Sequence, residues 1–303
     1  MKFEIILVRY GEIALKGKEV RRRFENNLIN NIKNALEVKD IENKISREYG
    51  RIYIHTKEIN KSVNVLKKIF GIVSISPSIK TKCDINSISR ESKNFVKNIL
   101  KKEDSFALRV KRTGKHDYSS QDIAIKVGEE IVNLTDSDVN LTKPDFELFI
   151  EIRDENAFIF SEKIKCAGGM PIGSQGKIIS LVDSFESILA TWYLMKRGCM
   201  PIFLIDKKFD ENHLKSFQEN WFFNSKIIKV DIKSNIFSDI NRISQIENCK
   251  ALVTSHSFSI EFNDLIEKIR TIKENVDIPV LSPLISIGKE EIRKKSKEIG
   301  LRI

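Results

Sequence analysis

The chain has 303 residues, 41% hydrophobic and 8% aromatic, with 52 Lys+Arg against 42 Asp+Glu and a formal net charge of +10. That length suits two or three globular domains, and no apolar run approaches the ~20 residues that span a bilayer, which excludes a membrane-spanning helix. The start, Met1 to Val8, carries an early acid and reads as a strand, and the four cysteines (Cys83, Cys166, Cys199, Cys249) match neither a disulfide framework nor a zinc site. A reduced, cytoplasmic protein with no metal is the expectation.

In chain order, residues 2–8 are a strand, and residues 19–36 carry Val20, Phe24, Leu28, Ile32 and Leu36 at helical spacing. Strands at 41–46 and 51–55 follow, joined by a turn at Tyr49-Gly50, then a helix over 61–70 and a strand over 71–79. The order β-α-β-β-α-β is the split βαβ, ferredoxin-like arrangement. A second α/β stretch has a helix over 85–100 with Ile88, Phe95, Val96 and Ile99 as its buried stripe, a strand over 106–110, a basic loop over 111–120, a helix over 123–134 and strands over 148–153 and 157–161. A third stretch alternates short β-branched strands (178–182, 201–205, 227–230, 251–254, 279–281) with amphipathic helices (187–196, 211–221, 238–247, 260–270, 289–299). That alternation predicts a Rossmann-like parallel sheet covered on both faces, with ligands beyond the carboxyl ends of its strands, near 182–187 and 254–258. The fold class is therefore multidomain α/β and α+β.

Residues 1–175 hold 32 Lys+Arg against 25 Asp+Glu, net +7, and residues 176–303 hold 20 against 17, net +3. The excess in the first half fits a polyanionic partner, and equally a solvated lysine-rich surface.

The opening Leu7-Val8-Arg9-Tyr10-Gly11-Glu12-Ile13-Ala14-Leu15-Lys16-Gly17 resembles the signature of the tRNA 4-thiouridine synthetases, or tRNA sulfurtransferases, as do Arg21-Arg22-Arg23-Phe24-Glu25 and Phe70-Gly71-Ile72. Arg109-Val110-Lys111-Arg112, Ser119-Ser120, Val127-Gly128, Val139-Asn140-Leu141 and Pro144-Asp145 are similar to that family's THUMP domain. The resemblance implies a ferredoxin-like domain over 1–78, a THUMP domain over 79–165, a glycine-rich linker over 166–176 and a PP-loop ATP-pyrophosphatase domain over 177–303. It also implies tRNA as partner, with a homodimer as the family's arrangement. Lys111, Arg112, Lys115, His116, Ser119 and Ser120 are the candidate phosphate donors, because phosphate oxygens take mixed charged and hydroxyl donors. Arg9, Lys16, Arg21 and Arg22 form a second candidate patch, with the exposed face of a helix as the simpler reading of the arginine run.

The phosphate-gripping turn of the family reads S-G-G-x-D-S, and the aligned residues here are Val182-Asp183-Ser184-Phe185-Glu186-Ser187. Side chains stand at both glycine positions, where bare N–H groups would approach a phosphate, and Asp183 adds negative charge. Val253-Thr254-Ser255-His256 lacks the family's glycine, Ser282-Pro283 lacks its arginine, and the sequence stops before the stretch that carries the family's sulfur-transferring cysteine. Two readings stay open. One is a tRNA-binding accessory factor in thiolation without its own adenylation and sulfur-transfer chemistry, with no cofactor. The other is a divergent sulfurtransferase using ATP and magnesium, with a sulfur-carrier or tRNA-modification partner supplying the reactive cysteine. His256 is expected to cap a local turn, since no acid partner lies near it in sequence.

Overall fold

The computed structural model describes residues 3–48, 50–207, 209–231, 236–258 and 261–301. Expectations for Lys2, Tyr49, Ser259, Ile260, Arg302 and Ile303 lie outside the described residues. The chain opens with β1 (Ile5–Tyr10), α1 (Lys18–Glu37), β2 (Lys44–Glu48), β3 (Arg51–His55), α2 (Ile59–Leu66) and β4 (Ile72–Lys82). It continues with α3 (Ile85–Val96), β5 (Ser105–Thr113), α4 (Ser120–Thr135), β6 (Asp138–Val139), β7 (Phe146–Arg153), β8 (Asn156–Phe160) and β9 (Ile164–Lys165). The last part is β10 (Lys177–Val182), α5 (Phe185–Lys196), β11 (Met200–Asp206), α6 (Asn212–Trp221), β12 (Ile227–Val230), α7 (Ile236–Glu247), β13 (Cys249–Val253), α8 (Phe262–Asn275), β14 (Val280–Leu281) and α9 (Lys289–Glu298). Among the described residues no helix is long and apolar enough to cross a membrane.

These elements make two compact units, one of residues 1–9, 40–67 and 74–165 and the other of residues 10–39, 68–73 and 166–303. The first is built on a nine-stranded sheet in the order β2-β3-β1-β4-β8-β7-β5-β6, with β9 on β4. Its α3 and α4 cover one face, where Ile88, Phe95, Ile123, Val127 and Ile131 meet Leu148, Ile150 and Ile152 of β7. Strand alternation puts Phe149 and Glu151 on the opposite face, with Phe158 and Phe160 of β8.

The basic loop predicted over 111–120 begins later, because β5 continues through Thr113, paired residue by residue with β7 (Lys111 opposite Glu151, Arg112 opposite Ile152). Lys111 and Arg112 therefore project from opposite faces of a strand. The two-residue strands β6 and β9 were not expected, being too short to show a period. Val20, one of the apolar residues at helical spacing in the first helix, is 39% exposed, while Phe24, Leu28, Ile32 and Leu36 are buried.

The second unit is an all-parallel sheet in the order β12-β11-β10-β13-β14. α1 belongs to this unit, with Asn31 donating to the Ile172 carbonyl at 3.3 Å. Phe70 stacks on Trp221 at 5.0 Å and meets Trp192 edge-on at 5.6 Å. The glycine-rich segment is tied to the end of α5: Met170 N donates to Lys196 O at 2.9 Å, and Gln175 N to Gly198 O at 3.1 Å. Gly169 has φ +75°, and a Cβ there would lie 2.1 Å from Lys196 O, so only glycine fits this approach.

Candidate functional site

At the carboxyl edge of the parallel sheet, β10 lies between β11 and β13, so the strand order reverses beside it and the turn into α5 opens at the topological switch point. The turn is the Val182–Ser187 segment singled out in the sequence. Val182 ends the strand and is fully buried, Asp183 and Glu186 are exposed, and Ser187 is buried. The Asp183 carboxylate turns back on its own loop: Oδ1 accepts from Ser184 Oγ at 3.0 Å and from Ser187 Oγ at 2.5 Å. A carboxylate thus lies at the amino end of a 12-residue helix, where that end's partial positive charge favours an anion. In turn, the Ser187 carbonyl accepts from Thr191 Oγ1 at 2.8 Å, and Thr191 meets Ser180 Oγ on β10.

β13 brings a second polar group to the same edge. Thr254 Oγ1 sits 2.9 Å from Ser282 Oγ and 2.8 Å from His256 Nδ1. Burial pushes the His256 pKa down, Asp183 opposes this and Lys268 reinforces it. Asp183, 73 positions away in the chain, thus acts on His256 through its charge, while the hydrogen bond of His256 is local, to Thr254. A cavity of about 380 Å³ opens beside His256, lined also by Asp264, Glu267, Lys268 and Thr271. A larger one of about 740 Å³ lies at the other end of the sheet, where Met200 and Ile227 begin their strands, and is lined by α1, α6 and Phe222. Its position at the amino ends of the strands separates it from the switch point.

In the first unit the expected phosphate donors divide. Lys111 and Lys115 are exposed. Arg112 is half-buried, its Nη1 3.5 Å from the His116 carbonyl. His116 is pinned through Nε2 to the Asp154 carbonyl at 2.8 Å, across from Gly114, whose φ is +104° and where a Cβ would lie 2.9 Å from Asp154 Oδ1. Ser119 is the N-cap of α4 in a capping box: its Oγ accepts from Asp122 N at 3.1 Å, and Asp122 Oδ2 accepts from Ser119 N at 2.7 Å. Ser120 is the first residue of that helix.

Arg9 differs most from its expected role as a surface contact. Its side chain is 13% exposed, Nη1 donating to Ser76 Oγ at 2.9 Å and Nη2 to Glu151 Oε2 at 3.2 Å, with the guanidinium 4.8 Å above the Phe160 ring. Glu151 Oε1 also accepts from Arg51 Nε at 2.7 Å and Arg153 Nε at 2.8 Å. Burial would raise the Glu151 pKa, but Arg51, Arg153 and Arg9 outweigh it and bring it down to about 2. In the second unit Lys16 and Arg22 are exposed, and Arg21 Nε lies 4.0 Å from Glu25 Oε1.

Residues 5–76 match the ThiI ferredoxin-like domain, residues 82–162 the THUMP domain, and residues 208–302 the thiamine biosynthesis protein (ThiI) family. The chain is 32% identical to a probable tRNA sulfurtransferase of Methanobrevibacter smithii, aligned over 99% of this chain and 87% of that protein. It is 30% identical to another from Methanothermobacter thermautotrophicus, over 99% and 85%. PH1313 from Pyrococcus horikoshii superposes with a TM-score of 0.83 at 31% identity, over 98% of this chain and all of that one. A 4-thiouridine synthetase solved in complex with RNA and with bound ATP gives 0.79 at 25% identity, over 99% and 85%. Agreement in sequence over nearly the whole length, and in the order of ferredoxin-like, THUMP and Rossmann-like parts, places this chain in the tRNA sulfurtransferase family.

Proposed function

We propose that the chain is a divergent tRNA sulfurtransferase that makes 4-thiouridine in tRNA with ATP, in the cytoplasm. In this reading the domains are those expected from the sequence, at 1–78, 79–165 and 177–303 with the linker between. The basic surface of the first unit holds the tRNA backbone. The carboxyl edge of the parallel sheet receives nucleotide and uridine, with magnesium offsetting the charge of Asp183. Support comes from relatives that carry this activity in their names and from the relative solved with both RNA and ATP. The observation that carries it is the meeting of the β10–α5 turn, with Ser187 retained, and the Thr254–His256 segment at the switch point of the sheet. In this reading a partner supplies the reactive cysteine, and burial, which pushes the Cys199 and Cys249 pKa values up, disfavours their thiolates.

A specific observation favours a second reading, a tRNA-binding accessory factor in thiolation. The Asp183 carboxylate already engages Ser184 and Ser187 at the helix terminus, where a nucleotide phosphate needs bare N–H groups. Calorimetric titration of ATP-magnesium into the purified protein separates the two. Micromolar binding that weakens on Ser187→Ala supports the enzyme; tRNA binding without any ATP heat supports the accessory factor.

A further inference from the structure

The face of the first unit's sheet turned away from α3 and α4 carries a cluster made only of strand residues: Ile5, Leu7, Tyr53, Phe158 and Phe160, with Phe149 packed against them. Tyr53 stacks on Phe158 at 4.9 Å and Phe149 on Phe160 at 5.3 Å. Over this aromatic floor the charge is out of balance. Arg9, Arg51 and Arg153 all bind the single carboxylate Glu151, and Lys111 lies opposite Glu151 in the β5–β7 register. Lys163 sits 3.7 Å over the centre of the Phe149 ring, within electrostatic reach of Arg9, Lys111, Glu147 and Glu151. The nearby Glu147 is matched by Arg109 at 2.6 Å. Three arginines therefore share Glu151, which is 7% exposed, with Lys111 and Lys163 beside them, while Glu48, opposite Arg51 in the β2–β3 register, accepts from the Tyr53 hydroxyl at 2.8 Å.

Concentrated positive charge in a partly dry site is unfavourable without an anion to answer it. Burial lowers the Arg9 and Lys163 pKa values; at Arg9 the bound Glu151 opposes this and Arg51 adds to it, and at Lys163 the charges of Arg9 and Lys111 add to it. The geometry also leaves donors. Arg51 engages Glu151 through Nε and the Gly50 carbonyl through Nη1 at 2.7 Å, so Nη2 has no acceptor among the described residues. A phosphate group suits this arrangement, since its non-bridging oxygens take several charged donors at once.

We propose that this sheet face is a phosphate-binding site in which Arg51, Lys111 and Lys163 take a phosphodiester group of an RNA strand, while Glu151 positions the arginines. The RNA is the tRNA of the function proposed above, on which the inference rests. Glu151 and Arg9 are positioning residues, and Lys163, outside the loop expected to bind RNA, is the new contact.

The test is tRNA binding by the full chain across a KCl series, for the wild type, Lys163→Gln and Arg51→Gln, with thermal melts to confirm folding. Each variant is expected to weaken binding several-fold and to reduce the slope of log K against log salt by about 1. Lys163 makes no ion pair among the described residues, so its variant remains informative even where Arg51→Gln loosens the Glu151 cluster. Unchanged affinity and slope in a folded Lys163→Gln variant would overturn the inference and leave tRNA binding intact. Should the wild type bind no tRNA, the proposed function falls first, and inorganic phosphate becomes the probe. A melting temperature raised by phosphate over chloride at equal ionic strength, in the wild type and not in Lys163→Gln, supports the site; equal shifts overturn it.

Discussion

Two carboxylates show how differently one functional group can be used in the two units. Glu151 sits in a strand, buried, and is outnumbered by the arginines it holds. Asp183 sits in an exposed turn and is met by two hydroxyls at a helix terminus. The first is surrounded by more positive charge than it carries, whereas the second is itself the anion at a place suited to one. A carboxylate that organises cations strengthens a phosphate surface, and a carboxylate that replaces a glycine competes with phosphate.

The largest expected contrast is in stability. Glu151→Gln leaves three partly buried guanidinium groups without their countercharge and is expected to cost about 3 kcal/mol in urea unfolding of the first unit. Asp183→Asn keeps an oxygen acceptor in an exposed turn and is expected to cost less than about 1 kcal/mol. Equal losses would erase the distinction between the two sites.

Acid titration sharpens the same point. Folding holds Glu151 at about 2, below its ordinary 4.5, so its contribution is complete above pH 4.5 and is lost as pH falls towards 2. That stretch of the pH–stability curve is expected to flatten in Glu151→Gln and to persist in Asp183→Asn.

Nucleotide binding turns the comparison towards chemistry. Asp183→Gly removes both a charge and a Cβ from the phosphate approach, and is expected to tighten ATP-magnesium about tenfold by calorimetry, ~1.4 kcal/mol. Weaker binding instead would make Asp183 a ligand-holding residue. The smallest effect is at His256, which loses a carboxylate that holds its pKa up when Asp183 becomes Asn. Its imidazole is then expected to titrate at lower pH in an NMR series. Because burial already holds that pKa below 6.5, its contribution to stability is present above that pH and declines as pH falls.

Much of the architecture was legible because periods are local. The strands Arg51–His55 and Ile227–Val230 have the bounds their sequence suggests, and Leu28 and Ile32 lie on the buried stripe of α1. The family signature gave the order of the parts, and the substituted Asp183 and Ser184 marked the turn that differs. The site geometry was not legible because its partners are remote in sequence. Glu151 meets Arg51 across 100 positions and Arg9 across 142. Asp183, whose charge acts on His256, lies in the turn after another strand and far from it in sequence. Lys111 and Arg112 looked like one loop cluster until the pairing of β5 with β7 set them on opposite faces.

The most direct test of the sulfurtransferase reading is sulfur transfer itself. Purified protein, unmodified tRNA, ATP-magnesium, a cysteine desulfurase charged with radiolabelled sulfur as the cysteine-bearing partner, and dithiothreitol to reduce the disulfide formed on transfer would be incubated together, and label in tRNA counted with and without ATP. The account expects ATP-dependent label in 4-thiouridine that falls in Ser187→Ala. No label above the minus-ATP control, from protein that binds tRNA, would contradict it and leave the accessory reading in its place.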